Sequence, residues 1–504
     1  MPQAGLLELV AHGIQDIYLI GNPQITFFKT VYKRHTNFSM EAFQISYDAK
    51  PTFGAKTTFN ITHYADLINT MILEVDLPLI TATYTYDPAV GVPADYQKGQ
   101  GTISWVNNTG HALIDYADLL IGKQLIDRQY GEWMEIWTQL TQNEAKKRGL
   151  DLMLNRNPQL VIQPGPFTTY IPFQFWFCRN LGLALPLVAL QYHQVDLEVN
   201  FRPLNQLYTF GANTYYNATS NGTGLLQVYK PYTSTPNLDD DSQAKIMVFP
   251  DGSEYFIHPT ATIGGPGQTG NPGQPYILQM TQTVPAVWSN ASVYIKPNGV
   301  LNTTGGIPQI SDIRLYVDYI YLDTIEQREF ANAKHRYLIE QVQYSGTQSI
   351  SAAVSTYRTK LNFNLPIKEL FWVNQLNAVY LTNDLFNYSN TVDPYVPQGN
   401  IMATGMIYIN GIERFSQRTG DYFRLIQPYQ KHTRSPNDFV YVYSFSVKPE
   451  EHQPSGCSNF SKIDTKDIFQ TFNAGIGEQQ IRVYGLNYNI LRIYSGMGGI
   501  AFSN

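Results

Sequence analysis

The sequence predicts an all-β chain: two consecutive antiparallel β-sandwiches, a short helix linking them, and a long surface-loop insertion in the first. Three observations carry this expectation. From Asp312 to Leu322, residues Ile313, Leu315, Val317, Tyr319 and Tyr321 fall at alternate positions in a run rich in β-branched and aromatic side chains, the period of a half-buried strand. Directly afterwards Thr324, with Gln327 three residues on, reads as a capping box, and Glu326, Arg328, Glu329, Lys334, His335 and Arg336 follow, so a short polar helix is expected. Finally, β-patterned runs lie on both sides of this joint, and 504 residues exceed what one ordinary core supports. The limits expected are an N-terminal arm over 1–24, a first sandwich over 25–323 with its insertion at about 205–311, a joint over 324–340, and a second sandwich over 341–504.

Taken in order, Leu6, Leu9, Val10, Ile14 and Ile17 follow a helical period, which suits a short amphipathic arm. Glu8, His12 and Asp16 interrupt its apolar residues, and it lacks a basic leader, so neither a signal peptide nor a membrane span is expected. Strands are then expected at Ile25 to Val31, Phe38 to Tyr47, Lys56 to Thr62 and Thr70 to Leu77, a density that argues for an antiparallel sandwich or barrel. Pro88, Gly91, Pro93, Gly99 and Gly101 mark a loop over 81–101. Strand character resumes around Leu119 to Ile121 and Leu125-Ile126, with Gly122-Lys123 as a tight turn between them. Glu132 to Arg148 reads as a helix with Trp133, Ile136, Trp137 and Leu140 on one face, stopped by Gly149. Phe167 to Cys178 and Val188 to Phe201 read as long strands, the second ended by Pro203.

Residues 205–311 turn sharply toward Tyr, Asn, Thr, Ser, Gly and Pro. A structureless loop of that length is improbable inside a domain, so it is expected to hold short strands such as Lys245 to Phe249 and Tyr276 to Gln282. Beyond the joint, strands are expected at Ser355 to Val373, Ala403 to Ile412, Phe439 to Val447, Gln480 to Tyr484 and Tyr488 to Ile493. No sequence period repeats between the two halves.

Composition narrows the function classes. The formal net charge is −6, so no global positive field draws the chain to nucleic acid, and the cluster Lys29, Lys33, Arg34 and His35 reads as a solvated face. Charged residues make up only 15% of the chain and aromatics 13%, which fits either a surface covered by protein partners or a β-protein with Tyr, Thr and Asn outside. Two cysteines, Cys178 and Cys457, have no metal or redox spacing. Cys178, after an aromatic run, reads as a small buried hydrophobe, and the low count fits a reducing compartment with a single disulfide left open.

Three stretches resemble the major capsid proteins of the nucleocytoplasmic large DNA viruses. One runs from Gly13 to Lys29 (GIQDIYLIGNPQITFFK) and on through Tyr32 to Phe38; another is the joint, Tyr321-Leu322-Asp323, charged helix, then Tyr337 to Gln341; the third closes the chain at Gln453 to Ser461, Asn487 to Ile493 and Ser495 to Gly499. Only the region of roughly 205–311 looks unfamiliar. The resemblance implies two jelly rolls, a homotrimer whose near-hexagonal outline tiles the icosahedral shell of a virion assembled in the host cytoplasm, and neighbouring capsomers with minor capsid, cement and penton proteins as partners. It further implies an N-terminal arm beneath the capsomer, facing an inner membrane, and loops that rise outward from the barrels.

Catalytic chemistry is scarce by comparison. Nine histidines are scattered without metal-ligand spacing, Asp239-Asp240-Asp241 lacks the interval and glycine of a calcium loop, and Gly265 to Gly270 matches a dinucleotide fingerprint without the strand and helix that make it work. Gly496, Gly498 and Gly499 suit close strand packing. Nine Asn-x-Ser/Thr triplets, four in the insertion, commit to no glycan. No catalytic, cofactor or metal residue is therefore assigned. The rival readings are a multi-sandwich lectin or adhesin that stacks sugars on the Tyr-rich insertion, and a β-sandwich glycosidase needing two carboxyl groups across a cleft, for which Asp318 and Glu340 are the nominal pair.

Overall fold

The computed structural model describes residues 20, 22–30, 32–84, 103–156, 164–210, 305–391 and 398–502, and within the insertion 214–220, 222, 225–229, 245–248, 254–256, 276–279, 283–286, 291–297 and 299–303. The expected N-terminal amphipathic arm, Asp239 to Asp241 and Gly265 to Gly270 lie outside these residues.

Eight strands build the first sandwich: β1 (Phe38–Ile45), β2 (Lys56–Ile61), β3 (Leu67–Leu77), β4 (Ile114–Ile121), β5 (Gln124–Tyr130), β6 (Phe167–Pro172), β7 (Val195–Phe201) and β8 (Asp312–Leu322). They form two antiparallel sheets, ordered β1-β8-β3-β6 and β2-β7-β4-β5. Alternation makes them face each other. In β3 the residues Met71, Leu73, Val75 and Leu77 are buried while Glu74 and Asp76 turn out, and in β8 Ile313, Leu315, Val317 and Tyr319 do the same. The turn between β4 and β5 has φ of 57° at Gly122 and 65° at Lys123, the two left-handed residues that a two-residue hairpin matched to strand twist requires.

The second sandwich repeats this plan with β9 (His335–Ile350), β10 (Thr356–Lys360), β11 (Pro366–Leu376), β12 (Met402–Ile409), β13 (Ile412–Glu413), β14 (Val440–Ser444), β15 (Lys466–Phe472) and β16 (Gln479–Tyr494). Its sheets are ordered β9-β16-β11-β14 and β10-β15-β12-β13. Each strand number is the first sandwich's number plus eight. This is the jelly-roll order twice over, a duplication that no sequence repeat discloses. The three longest helices among the described residues are α1 (Gly131–Thr141), α2 (Glu144–Met153) and the linking helix α3 (Thr324–Asn332).

The insertion leaves after β7 and returns into β8. It contains a six-stranded antiparallel sheet, ordered Glu254–Phe256, Lys245–Val248, Ala291–Pro297, Thr214–Ser220, Leu225–Tyr229, Tyr276–Gln279, which includes both strands expected there. Ala82–Tyr84 pairs with Gly299–Leu301 at its root. The molecule is therefore polar along its strands. Phe201 and Asp312 lie at the insertion end, while the start of β1, the Gly122-Lys123 turn, the start of β9 and the end of β16 share the opposite end.

Several expectations are corrected. Residues 25–30 form no strand: Ile25, Phe27 and Phe28 are 74%, 90% and 98% exposed, so no partner sheet covers an alternating face. The single helix expected over Glu132 to Arg148 is two, because Asn143 adopts extended backbone and caps α2 by accepting a hydrogen bond from Ala145 N. Gly149 lies inside α2 with open space around its Cα and stops nothing. The strand begun at Phe167 ends at Pro172, where Phe175 and Phe177 enter the core from a helical turn over Trp176–Arg179. The run Val188 to Phe201 contributes a strand only from Val195. At the joint the cap is Asp323, whose carboxylate accepts from Thr324 N, while Gln327 reaches Asp66 rather than closing a capping box. Ser355 to Val373 divides into β10 and β11, Gln480 to Ile493 is one strand, and β15 was not anticipated. β9 begins at His335, within the residues expected for the joint.

Candidate functional site

The place where the two sandwiches meet is the most elaborate side-chain constellation among the described residues, and α1 builds it. Its residues from Gly131 to Leu140 are all buried. Trp133, Met134, Ile136 and Leu140 are closed from solvent, and the same hydrophobic cluster continues without a break into Ile339, Phe371, Val373, Val442, Leu486 and Leu491 of the second sandwich. A separate core, around Trp372, Leu370, Val483, Tyr441 and Ile468, lies between the two sheets of the second sandwich. The contact between sandwiches is thus itself a core.

Polar groups in this seam are paired across it. Glu132 of α1 accepts from Arg482 Nε at 2.8 and 2.9 Å, from the Tyr484 hydroxyl at 2.5 Å and from the Tyr388 hydroxyl at 3.0 Å, all three from the second sandwich. Arg482 also donates to Gln375 at 2.7 Å, and Gln375 in turn donates to the carbonyl oxygen of Leu385 at 3.1 Å. Burial opposes the charge on Arg482, yet Glu132 outweighs it and holds the guanidinium firmly protonated. Burial, reinforced by the Glu132 carboxylate, pushes both tyrosine hydroxyls well above their ordinary range. Tyr344 and Tyr484 stack at 4.8 Å, and Tyr130 of the first sandwich closes on Tyr344 at 5.0 Å.

Other links repeat the pattern. Arg179 donates to Glu340 at 2.8 Å while Lys368 holds the other oxygen, and the Arg179 guanidinium lies over the Trp137 ring at 4.8 Å. Asp127 accepts from Val342 N at 3.0 Å, and burial raises its carboxyl to about 6. In the reciprocal direction Gln139 donates to Asp438. Gln139 also braces Glu135, which accepts from Asn108 and Arg156 and bonds His111; burial opposes that charge, but Arg156 and His111 bring the carboxyl down to about 2. His432 is buried edge-on to Trp137. Its Nδ1 lies 3.0 Å from Glu450 and its Nε2 lies 3.1 Å from Glu369, so its charged form is favoured up to about 9 despite burial.

At the end opposite the insertion, the C-terminal strand Met497–Ile500 closes the seam. Ser495 and Gly496 make its turn with φ of 52° and 78°, and a Cβ added at Gly496 would sit 2.4 Å from the Tyr192 ring. His193 Nδ1 lies 2.9 Å from the Gly498 carbonyl oxygen and 3.2 Å from its N, and the ring tautomer sets which of the two it bonds; an added Cβ at Gly498 would meet Leu190 at 2.7 Å. Close packing accounts for these glycines as the sequence suggested, and the surface they pack against is the first sandwich.

Of the nominal carboxylate pair, Glu340 is neutralised by two cations, and no hydrogen bond or ion pair joins it to Asp318 among the described residues. Among the same residues no group of three His, Cys, Asp or Glu is placed to hold a metal ion, and no helix is long and apolar enough to cross a membrane. Cys178 and Cys457 are both free thiols, and burial pushes the Cys178 thiol up to about 12.

Comparison with known proteins decides what the double sandwich is. The family described as "Major capsid protein N-terminus" matches residues 26–235, and the one described as "Large eukaryotic DNA virus major capsid protein" matches residues 326–499. The major capsid protein of Pyramimonas orientalis virus is 35% identical over 99% of this chain and 99% of its own. The chain belongs to the major capsid protein family of large eukaryotic DNA viruses. A structure of the PBCV-1 virus capsid superimposes with a TM-score of 0.62 at 25% identity, over 95% of this chain and 100% of the other. The Faustovirus major capsid protein shares the fold, with a TM-score of 0.64 at 13% identity over 96% of this chain and 94% of its own. In this capsid protein the seam residues Glu132, Arg482 and Asp127 carried no sequence signal, because each is a lone polar residue whose partner lies more than 200 positions away. Only the apolar face of α1 foreshadowed the seam.

Proposed function

We propose that three copies of this capsid protein associate into a capsomer of near-hexagonal outline, and that such capsomers tile the flat facets of an icosahedral virion. The supporting observation is the recurrence of one strand order at an offset of eight, with both copies locked on a shared core. Three chains then supply six similar upright sandwiches, and head-to-tail contacts around a threefold axis close the ring. Unlike sandwiches within each chain make the sixfold outline approximate.

The reading extends to the parts of the chain. Residues 25–323 and 341–504 act as the two sandwich domains joined over 324–340, the insertion at about 205–311 stands on the outer surface, and the arm over 1–24 meets minor capsid proteins or the inner membrane beneath. Neighbouring capsomers, cement and penton proteins are the other partners. Assembly takes place in the host cytoplasm, the role is structural without catalysis, and a net charge of −6 disfavours direct genome binding.

The test is the solution mass and negative-stain outline of the purified chain at two concentrations. A stable species at three times the chain mass with a pseudo-hexagonal face is expected, and a folded monomer at both concentrations counts against the trimer. Replacing Ala212 to Gly305 by a short linker should leave that trimer intact; loss of all soluble trimer would place the insertion in the core or the interface instead.

A further inference from the structure

At the end opposite the insertion, β9 and β16 place Arg336 directly across from Arg492. Both side chains are exposed, and neither has an acidic partner among the described residues. Like charges directly opposite on antiparallel strands destabilise the pair. Among the described residues this repulsion is uncompensated, although the chain as a whole carries a net charge of −6. The neighbours on the same face complete a surface. Leu338 lies opposite Ile490, both half-buried, and Tyr494, 51% exposed, continues the face beyond Arg492. The two cations thus sit side by side, between an aliphatic pair and an aromatic rim.

We propose that this corner is a docking surface for an acidic segment of a partner polypeptide, whose carboxylates bridge Arg336 and Arg492 while its apolar side chains lie on Leu338 and Ile490. Charge complementarity selects the occupant, since a guanidinium pair matches carboxylate geometry and gains charge-assisted hydrogen bonds. Orientation selects a polypeptide over a bilayer. Strand side chains stand perpendicular to their sheet, so these arginines face sideways from the sandwich rather than along the strand axis, where a flat membrane under the molecule would lie. The proposal does not depend on the trimer.

Fluorescein-labelled poly-L-glutamate, titrated with the full-length protein and followed by anisotropy at low salt, tests it. The parent is expected to bind, and the Arg336→Gln/Arg492→Gln variant to lose about tenfold or more. The Lys29→Gln/Lys33→Gln variant should stay within about twofold of the parent, because those residues precede β1 and belong to neither β9 nor β16. The arginine variant should also melt at or above the parent temperature, since its substitutions remove a repulsion; this separates loss of the site from loss of the fold. Equal binding by parent and arginine variant overturns the site. Arginine-dependent binding that is tighter to phosphatidylserine vesicles or to single-stranded DNA than to poly-L-glutamate overturns the polypeptide assignment. An arginine-dependent change in the chain's own oligomeric mass assigns the surface to a second copy and overturns it as well.

Discussion

Two helices could hold this molecule's halves together, and they differ in almost every respect. α3 makes the covalent connection, is capped by Asp323, and has no buried residue. α1 belongs by sequence to the first sandwich alone, yet it is buried along its length and carries the Glu132 carboxylate into three donors of the second. Chain continuity and mechanical continuity are therefore separate. What fixes one sandwich against the other is a core with paired charges in it, and the linking helix mainly limits how far the chain must travel.

The sharpest way to break that contrast is at Glu132. Removing its carboxylate leaves Arg482 buried without its counter-charge and two tyrosine hydroxyls without their acceptor. Glu132→Ala should cost roughly 3–5 kcal/mol. Urea unfolding followed by tryptophan fluorescence would register it, because Trp133 and Trp137 lie on the same helix. The double variant Glu132→Leu/Arg482→Met should recover much of the loss, since an apolar pair of similar volume avoids the desolvation of both ions. If Glu132→Ala unfolded at the parent midpoint, the seam charges would be dispensable and the apolar core alone would hold the halves.

Titration gives a second, somewhat smaller effect. Burial raises Asp127 to about 6, so the folded state holds its proton more tightly than the unfolded chain does between roughly pH 4 and 6. Stability from this group is full below that window and falls as pH rises through it. Burial opposes the charge of His432, but Glu369 and Glu450 raise it to about 9; its contribution is full below about pH 6.5 and is lost on the way to 9. Glu135 acts the other way, contributing above about pH 4.5 and losing that as pH falls toward 2. The unfolding midpoint should thus peak in mild acid and decline in two steps. Asp127→Asn should shrink the first, to which Asp438, also raised by burial to about 6, contributes as well, and should stabilise the protein at pH 7 by about 2–3 kcal/mol. His432→Gln should remove the second step, and persistence of both declines in both variants would assign them to other groups.

How much of this was visible beforehand depends on the range of the forces involved. The alternation in β3 and β8, the hairpin at Gly122-Lys123 and the apolar face of α1 are local patterns, and each formed where it was expected. Boundaries went wrong where a short-range competitor acted, as at Asn143, which caps a new helix, and at Pro172, beyond which the aromatic run folds inward. The duplicated strand order was invisible because jelly-roll topology is set by pairing partners far apart, such as Ile45 with Leu315, and not by repeated residues. Seam partners such as Gln139 and Asp438, about three hundred positions apart, were out of reach for the same reason.

The smallest effect belongs to the linking helix, and it is the one that turns the opening contrast into a measurement. Asp323 accepts a hydrogen bond from Thr324 N at 2.8 Å in an exposed setting, so Asp323→Ala should cost about 1 kcal/mol or less. Gln327 makes the only α3 side-chain bond into the first sandwich among the described residues, to Asp66 at 2.7 Å, and Asp66 also accepts from Leu322 N. Gln327→Ala should therefore cost no more than about 1 kcal/mol, because Asp66 keeps a second donor. Both variants should keep the parent pH profile, since the groups that set it lie in the seam. A joint variant that shifted the profile as strongly as Asp127→Asn would mean that α3 positions the seam, and the separation between covalent and mechanical continuity would fail.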